Sequence, residues 1–439
     1  MPFLSQKPTF LYQFFKLSII NILSNLMVPL AGLMDVAFLG HLTEIRHLAG
    51  VTLAAVLFNY IYLTFGFLRM GTTGMTAQAM GQEDQESVLL IGLRHGVLAL
   101  LLGLAILVFQ QPLRMLGFAL LSATPEVKAS GQAFYNALIW GAPATLINFV
   151  LIGWFLGREQ SNKVLLLSVV SNMTNVLLDY MFIVRWGWES RGAGLATATS
   201  QYLMLLVGIL LFYQEIRFKQ VQALARKLFE PSDLKVAFTL NGEILIRTLA
   251  LISTFAIFTT LSSTLGTVVL TTNAVLMQVV GLAAYLIDGL AFATESLAGV
   301  FRGKGTTEGL MQLVQVSGGT SLSLGLIFAI AFILTPKPLF GLLTNHTEII
   351  DRLCLYVPWL LPILGFGSIA YMLDGYFLGL TKGSTLRQST VKAALVGFAP
   401  TAIAAWYFRS NNLLWLSLTV FMAARALTLG LQVPRTLRN

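Results

Sequence analysis

Charge is what this sequence has least of. Of its 439 residues, 11% are Asp, Glu, Lys or Arg, against roughly 25% in a soluble chain. Too few charges are present to solvate a globular surface, which excludes a soluble enzyme, a disordered chain and a collagen-like repeat. Cysteine is almost absent: the single Cys354 rules out internal disulfides and a Cys-based metal site. The four histidines, His41, His47, His95 and His346, are scattered without metal-ligand spacing. No Ser/His or paired catalytic Asp motif stands at helical spacing, so no enzyme activity, cofactor or metal is expected. A cleavable signal is missing too: Lys7 and Lys16 precede an apolar run that continues to Leu39, too long for a signal core.

Apolar residues fill the space that charge leaves. The chain is 56% hydrophobic with a mean hydropathy of +0.77. A membrane helix takes about 20 apolar residues, and windows of that length give twelve candidate spans. They lie near 14–39, 49–70, 88–109, 134–156, 164–184, 194–213, 236–261, 268–290, 310–334, 353–380, 393–408 and 413–431. Residues 290–301 either prolong the eighth span or lie along the interface. The runs are continuous rather than alternating, which argues against strands. The expected class is therefore an all-α polytopic membrane protein surrounded by lipid.

The net charge of +9 does not point to nucleic acid, because Lys and Arg sit singly in short loops. With both termini cytoplasmic, Lys and Arg are in a roughly twofold excess on the inner side. This orientation, in a plasma or bacterial inner membrane, puts the polar segment 214–235 in the cytoplasm as a linker.

The halves on either side of that linker resemble each other. Gly153-Trp154-Phe155-Leu156-Gly157 matches Gly375-Tyr376-Phe377-Leu378-Gly379 at an offset of 222. Ala55-Val56-Leu57 matches Ala274-Val275-Leu276 at 219, and Gly71, Thr76 and Gly81 match Gly289, Thr294 and Gly299 at 218. Six helices per half restore the starting topology, so the repeats are expected to be parallel, about a pseudo-twofold axis along the membrane normal. The expected organisation is an amino-terminal lobe over 1–213, a linker over 214–235 and a carboxy-terminal lobe over 236–439.

A charge at mid-span costs about 2.5–3.5 kcal/mol on insertion scales, so each one needs a reason. Arg94, His95 and Arg425 lie near span ends, where the plain expectation is snorkelling. Asp35 and Asp179 each lie about five residues from the outer end of a span. Asn175 precedes Asp179 by one helical turn, and Thr197 lies near the outer start of span six. Brought together, two carboxylates in low dielectric cannot both stay ionised easily. Such a set holds a proton, or binds Na⁺ with Asn175 and Thr197 as neutral oxygen ligands; the plainer reading is a polar network that fixes helix packing. Pro29, six residues before Asp35, permits a kink. At an offset of 219 Asp35 maps to Thr254, so the second half lacks the outer carboxylate. Its charges lie deeper: Glu243 and Arg247 have the spacing of an intrahelical pair, and Asp374 approaches the same depth. Asp288 and Glu295 share one face of the eighth span, and Arg69 is a candidate partner for Asp288. These are expected to be structural or gating pairs.

At these residues the chain resembles the multidrug and toxic compound extrusion (MATE) family, in its DinF-type branch. The resemblance runs through nearly the whole chain. Its most specific stretches are 29–42 (PLAGLMDVAFLGHL), 65–81 (FGFLRMGTTGMTAQAMG), 241–248 (NGEILIRT) and 288–299 (DGLAFATESLAG), with Asn175, Asp179 and 192–201 (GAGLATATSQ). It implies a twelve-helix, two-lobed antiporter that exports cationic or amphipathic compounds, organic cations above all, as H⁺ or Na⁺ flows inward. It also implies that Asp35, Asn175, Asp179 and Thr197 (or Thr199) form the cation site and that Pro29 is the bend point. Glu243 and Asp374 are the positions nearest to second-lobe carboxylates that work in other branches, where an Asp is usual in place of Glu243. A monomer is expected. A lipid-linked intermediate flippase and an organic-acid exporter of a related fold are the alternatives; a membrane scaffold or receptor would need large extramembrane loops, which the sequence lacks.

Overall fold

A computed structural model of the chain describes residues 7–42, 44–215, 224, 227–343 and 347–437. His346 and much of the expected linker (216–223, 225 and 226) lie outside the described residues. Nearly all of the rest is helix, and the described residues contain no strand. The first half has α1 (Lys7–Gly40), α2 (Ile45–Phe65), α3 (Phe67–Gly81), α4 (Gln85–Val108), α5 (Gln110–Leu120), α6 (Pro125–Leu138), α7 (Ala142–Gly157), α8 (Ser161–Asp179) and α9 (Glu189–Glu215). The second has α10 (Pro231–Thr264), α11 (Thr267–Gly303), α12 (Thr307–Leu334), α13 (Pro336–Gly341), α14 (Thr347–Tyr356), α15 (Leu360–Gly379), α16 (Gly383–Lys392), α17 (Ala399–Tyr407), α18 (Asn411–Gly430) and α19 (Val433–Thr436).

Eleven helical runs among the described residues are long and apolar enough to cross a membrane. The eleventh expected span is the one outside that set. It starts at Gly383, ten residues before the apolar window, because its first turns (GSTLRQSTVK) are polar, and α16 and α17 are joined by a π-helical segment, Ala393–Phe398. A second π segment, Tyr180–Arg185, prolongs α8. Residues 290–301 prolong the eighth span within α11.

The duplication is stricter than three short matches suggest. Runs Ile45–Gly81, Pro125–Gly157 and Ser161–Arg185 have counterparts beginning at Thr267, Thr347 and Gly383, each 222 residues later. Left-handed backbone recurs at the same interval: Glu83 and Gly305 (φ 59° and 68°), Glu159 and Thr381 (59° and 52°), and Gly187 and Arg409 (66° and 50°). Helix crossings repeat as well. A Cβ on Gly153 would lie 2.5 Å from the Arg69 carbonyl oxygen, and one on Gly157 would lie 2.7 Å from that of Thr73. Their counterparts Gly375 and Gly379 press on the carbonyls of Ala291 and Glu295. Glycine is required at these crossings because α7 and α15 touch the backbone of α3 and α11. From α2 onward this register corrects the sequence pairing: the counterpart of Asp288 is Gly66, three residues from Arg69.

The chain packs as two compact units. One is Leu23–Phe238; the other joins Thr239–Asn439 to the chain up to Ile22. This division differs from the expected 213/236 boundaries, because the two long helices α1 and α10 each begin in one unit and end in the other. Phe10 stacks near Phe301, ring centroids 5.9 Å apart, and Ile22 covers Gly289. At the other crossover Arg94 holds the start of α10, with Nη1 2.8 Å from Asp233 and Nε donating to the Leu228 carbonyl at 3.0 Å.

Candidate functional site

Three helices of the Leu23–Phe238 unit carry the expected site. Asp35 lies on the second half of α1, Asn175 and Asp179 end α8, and Thr197 lies in the third turn of α9. Asp179 is the last α-helical residue before the π segment, where the backbone widens by one residue per turn. Asn175 donates from Nδ2 to Thr197 Oγ1 at 3.2 Å, so Thr197, and not Thr199, faces α8. The carboxyl groups of Asp35 and Asp179 lie within hydrogen-bonding reach of each other. Asp179 is fully buried, neither of its oxygens has a donor among the described residues, and Asp35 Oδ1 has none either. The four residues therefore form two touching pairs within one unit.

Sequence reading missed the continuation of this polar seam. Gln201, one turn beyond Thr197, donates from Nε2 to Ser171 Oγ at 3.3 Å, and Ser171 is one turn before Asn175. Asn148 on α7 donates to the Gln201 side-chain oxygen at 3.1 Å and to its backbone carbonyl at 2.9 Å. The steps of four from Thr197 and Asn175 were the available signal. A second missed cluster ties α2, α6 and α9: His47 Nδ1 lies 3.1 Å from Ser190 Oγ and 3.3 Å from Ser130 Oγ, while Nε2 lies 3.2 Å from Glu189. At the matching end of the other unit, Asn273 is bound by Asn411, Trp415 and Ser262.

The charges of the second unit pair differently from expectation. Arg247 turns to Asp374 on α15 instead of Glu243, and Arg425 on α18 binds the same Asp374 oxygen. Arg425 is fully buried and stacks near Tyr371 and Phe421, its guanidinium 5.6 and 5.5 Å from the ring centroids. It does not snorkel, because its counter-charge lies inside the bundle. His95 is likewise buried, its Nδ1 3.0 Å from the Ile91 carbonyl oxygen. Glu243 is half-buried against Gly383 and has no ionic partner among the described residues. Asp288 acts electrostatically on Tyr371 and Arg425, Glu295 is fully buried, and Arg69 lies on α3 of the other unit. Among the described residues no group of three or more His, Cys, Asp or Glu could hold a metal ion.

Membrane-crossing helices with buried charge facing their neighbours describe a multi-pass membrane transporter. A family model described as MatE matches residues 21–181 and 244–403. The chain is 33% identical over 420 residues to DNA damage-inducible protein F of Escherichia coli strain K12, a match covering 95% of this chain and 91% of that protein. It is 23% identical over 371 residues to the probable multidrug resistance protein NorM of Thermotoga maritima, covering 82% and 77%. Among solved structures, one described as MATE in the bent conformation superposes with a TM-score of 0.86 at 20% identity, covering 97% and 95%. The chain belongs to the MatE family. It is a transporter of small molecules and not an enzyme.

Proposed function

We propose that the chain is a secondary active antiporter that exports cationic or amphipathic small molecules in exchange for H⁺, with Na⁺ as the competing coupling ion. The observation that carries this reading is the Asp35–Asp179 pair. Two acidic groups face each other, one of them fully buried, with no cation or donor on Asp179 among the described residues. They can share a hydrogen bond only if one carries a proton, because two ionised carboxylates at contact in low dielectric repel strongly. A proton therefore joins them, and a cationic substrate or Na⁺ competes for the same charge. Pro29, one and a half turns before Asp35 in an unbroken helix, lacks the backbone N–H that would stiffen that turn. Separation and closure of the pair then couple to bending of α1, and release of cargo follows from which state each ligand favours.

Both termini lie in the cytoplasm and the membrane is the inner or plasma membrane, on the inner excess of Lys and Arg; the working unit is a monomer. Arg247 and Arg425 are committed to Asp374, which disfavours an anionic cargo held by them. The test is transport of a fluorescent organic cation into inverted vesicles under separately imposed ΔpH and ΔNa⁺. Uptake driven by ΔpH in wild type and abolished in Asp35→Asn is the expected result. Unchanged uptake in Asp35→Asn sinks the proposal, and uptake driven only by ΔNa⁺ replaces the proton with sodium.

A further inference from the structure

The connection between the third and fourth spans contains a helix whose polarity is reversed relative to a helix that faces water. α5 has 11 residues and lies outside the runs long enough to cross a membrane. Its polar groups meet the protein: Arg114 donates from Nη1 to Asn136 Oδ1 at 2.9 Å, and the Gln110 carbonyl accepts from the Tyr135 hydroxyl at 3.0 Å. Gly117 rests on Leu57 of α2, where a Cβ would lie 2.4 Å away, and the Phe118 ring is buried edge-on against Tyr135. Lys128 donates to the Phe118 carbonyl at 3.0 Å, which satisfies an acceptor of the last turn. The opposite side is apolar. Pro112, Met115, Leu116, Ala119 and Leu120, at the three- and four-residue steps of one helical face, are all exposed, Leu120 to 85%. Gln111 stands at the edge of this face.

We infer that α5 is embedded in one leaflet of the bilayer, with its exposed face among acyl chains, and is not part of an aqueous loop. In the orientation proposed above that leaflet is the outer one. The exposed apolar residues of α4, Leu101, Leu104 and Val108, are followed by exposed Phe109 at the junction and then by the α5 face. An apolar surface that faces lipid on a span therefore continues along the chain into α5, and burying it in hydrocarbon removes it from water. A helix of this length measures about 16 Å, too short for the roughly 30 Å of a bilayer core, so it enters and leaves on one side. Its backbone bonds are closed within the helix, as contact with hydrocarbon requires. At the 222-residue interval the second unit repeats the anchor but not the face. Phe118 maps onto Phe340, also buried, and Leu120 onto Leu342, also exposed. Met115, however, maps onto Lys337, an exposed ammonium in a helix of six residues. A charge on the face holds that copy at the headgroups, so the embedding belongs to α5 alone. It depends on neither the cargo nor the coupling ion.

The experiment places the environment-sensitive fluorophore NBD on single cysteines of the full-length chain in lipid vesicles. Cys354→Ser removes the native thiol. Leu116→Cys puts the label on the α5 face, and Glu126→Cys, an exposed polar position in the same connection, is the aqueous reference. The label at 116 is expected to be quenched at least threefold more strongly than that at 126 by phosphatidylcholine carrying an acyl-chain doxyl group. Iodide is expected to quench it at least threefold less. A smaller difference with either quencher overturns the inference; shielding of residue 116 from both quenchers would place a second copy of the chain there instead of lipid. If a labelled chain loses the wild-type unfolding temperature, wild type is photolabelled with phosphatidylcholine bearing an acyl-chain diazirine. Adducts within 110–120 then support the embedding, and their absence beside adducts on α4 overturns it. Proton coupling is read separately from uptake by Asp35→Asn, so either reading can fail while the other stands.

Discussion

The two oxygens of Asp179 are buried and have no donor among the described residues, and the amide analogue of this residue tests the proposed proton between it and Asp35 at the level of one atom. In Asp179→Asn the amide donates permanently to Asp35, so the pair stays joined at every pH. We expect ΔpH-driven uptake to be lost while the unfolding temperature at neutral pH is equal to or above that of wild type. Loss of both activity and stability would instead mark a packing role. Asp374 is the opposite case. It is the shared counter-ion of Arg247 and Arg425, and Asp374→Asn strands two buried guanidinium groups, at a cost of about 3–5 kcal/mol readable as a drop in unfolding temperature. Glu243→Gln, which breaks no ion pair, is expected to stay within about 0.5 kcal/mol of wild type. Asp35 and Asp179 were legible in the sequence because an acid in an apolar run stands out. The partner of Arg425 was not, because depth along a span says nothing about which neighbour a side chain faces, and Asp374 stands 51 positions away.

At the scale of the helix, close crossings and caps decide where each element sits. Gly157 and Gly379 let α7 and α15 rest on backbone carbonyls. Substituting Ala at either forces the helices apart, at about 1–3 kcal/mol, whereas Gly319→Ala on α12 meets nothing within 4 Å and should stabilise by about 0.5–1 kcal/mol. Thermal unfolding of the three variants checks the contrast. In the loop before α4, Asp84 caps the helix: its carboxylate accepts from the Ser87 hydroxyl at 2.6 Å and from the Ser87 N–H at 3.0 Å. These bonds favour the charged form and hold the carboxyl below its ordinary value. A lowered folded value means that the stabilisation is present above the unfolded value and fades as pH falls through the folded one. Asp84→Ala is therefore expected to cost about 1 kcal/mol at pH 7 and progressively less as pH falls below the ordinary carboxylate value, as unfolding across that pH range would show. Helix existence was legible here from hydropathy, but the π segments were not. An extra residue in one turn leaves the apolar run unbroken, so nothing in the pattern of Ala393–Phe398 or Tyr180–Arg185 announces it.

For the whole molecule, the duplication was visible as three short matches at intervals of 218 to 222. Only the backbone fixed the value of 222 from α2 onward, because apolar residues exchange freely between halves while left-handed turns and glycine crossings do not. The division of the chain into lobes was the least legible part. Polar residues mark where a linker can lie, but packing alone decides which unit owns the start of α1 and the start of α10. That ownership has a practical consequence for cutting the protein. A fragment ending in the linker lacks the first eight residues of α10 that belong to its unit, and it carries the beginning of α1, whose packing partners are on the missing piece. Neither 1–222 nor 223–439 should accumulate alone, while the two expressed together should reassemble without a covalent link and restore transport. Accumulation of either fragment by itself as a folded, monodisperse species would contradict this. A gene cut at the linker is then an obligate two-part system, in which each fragment persists only while the other is made.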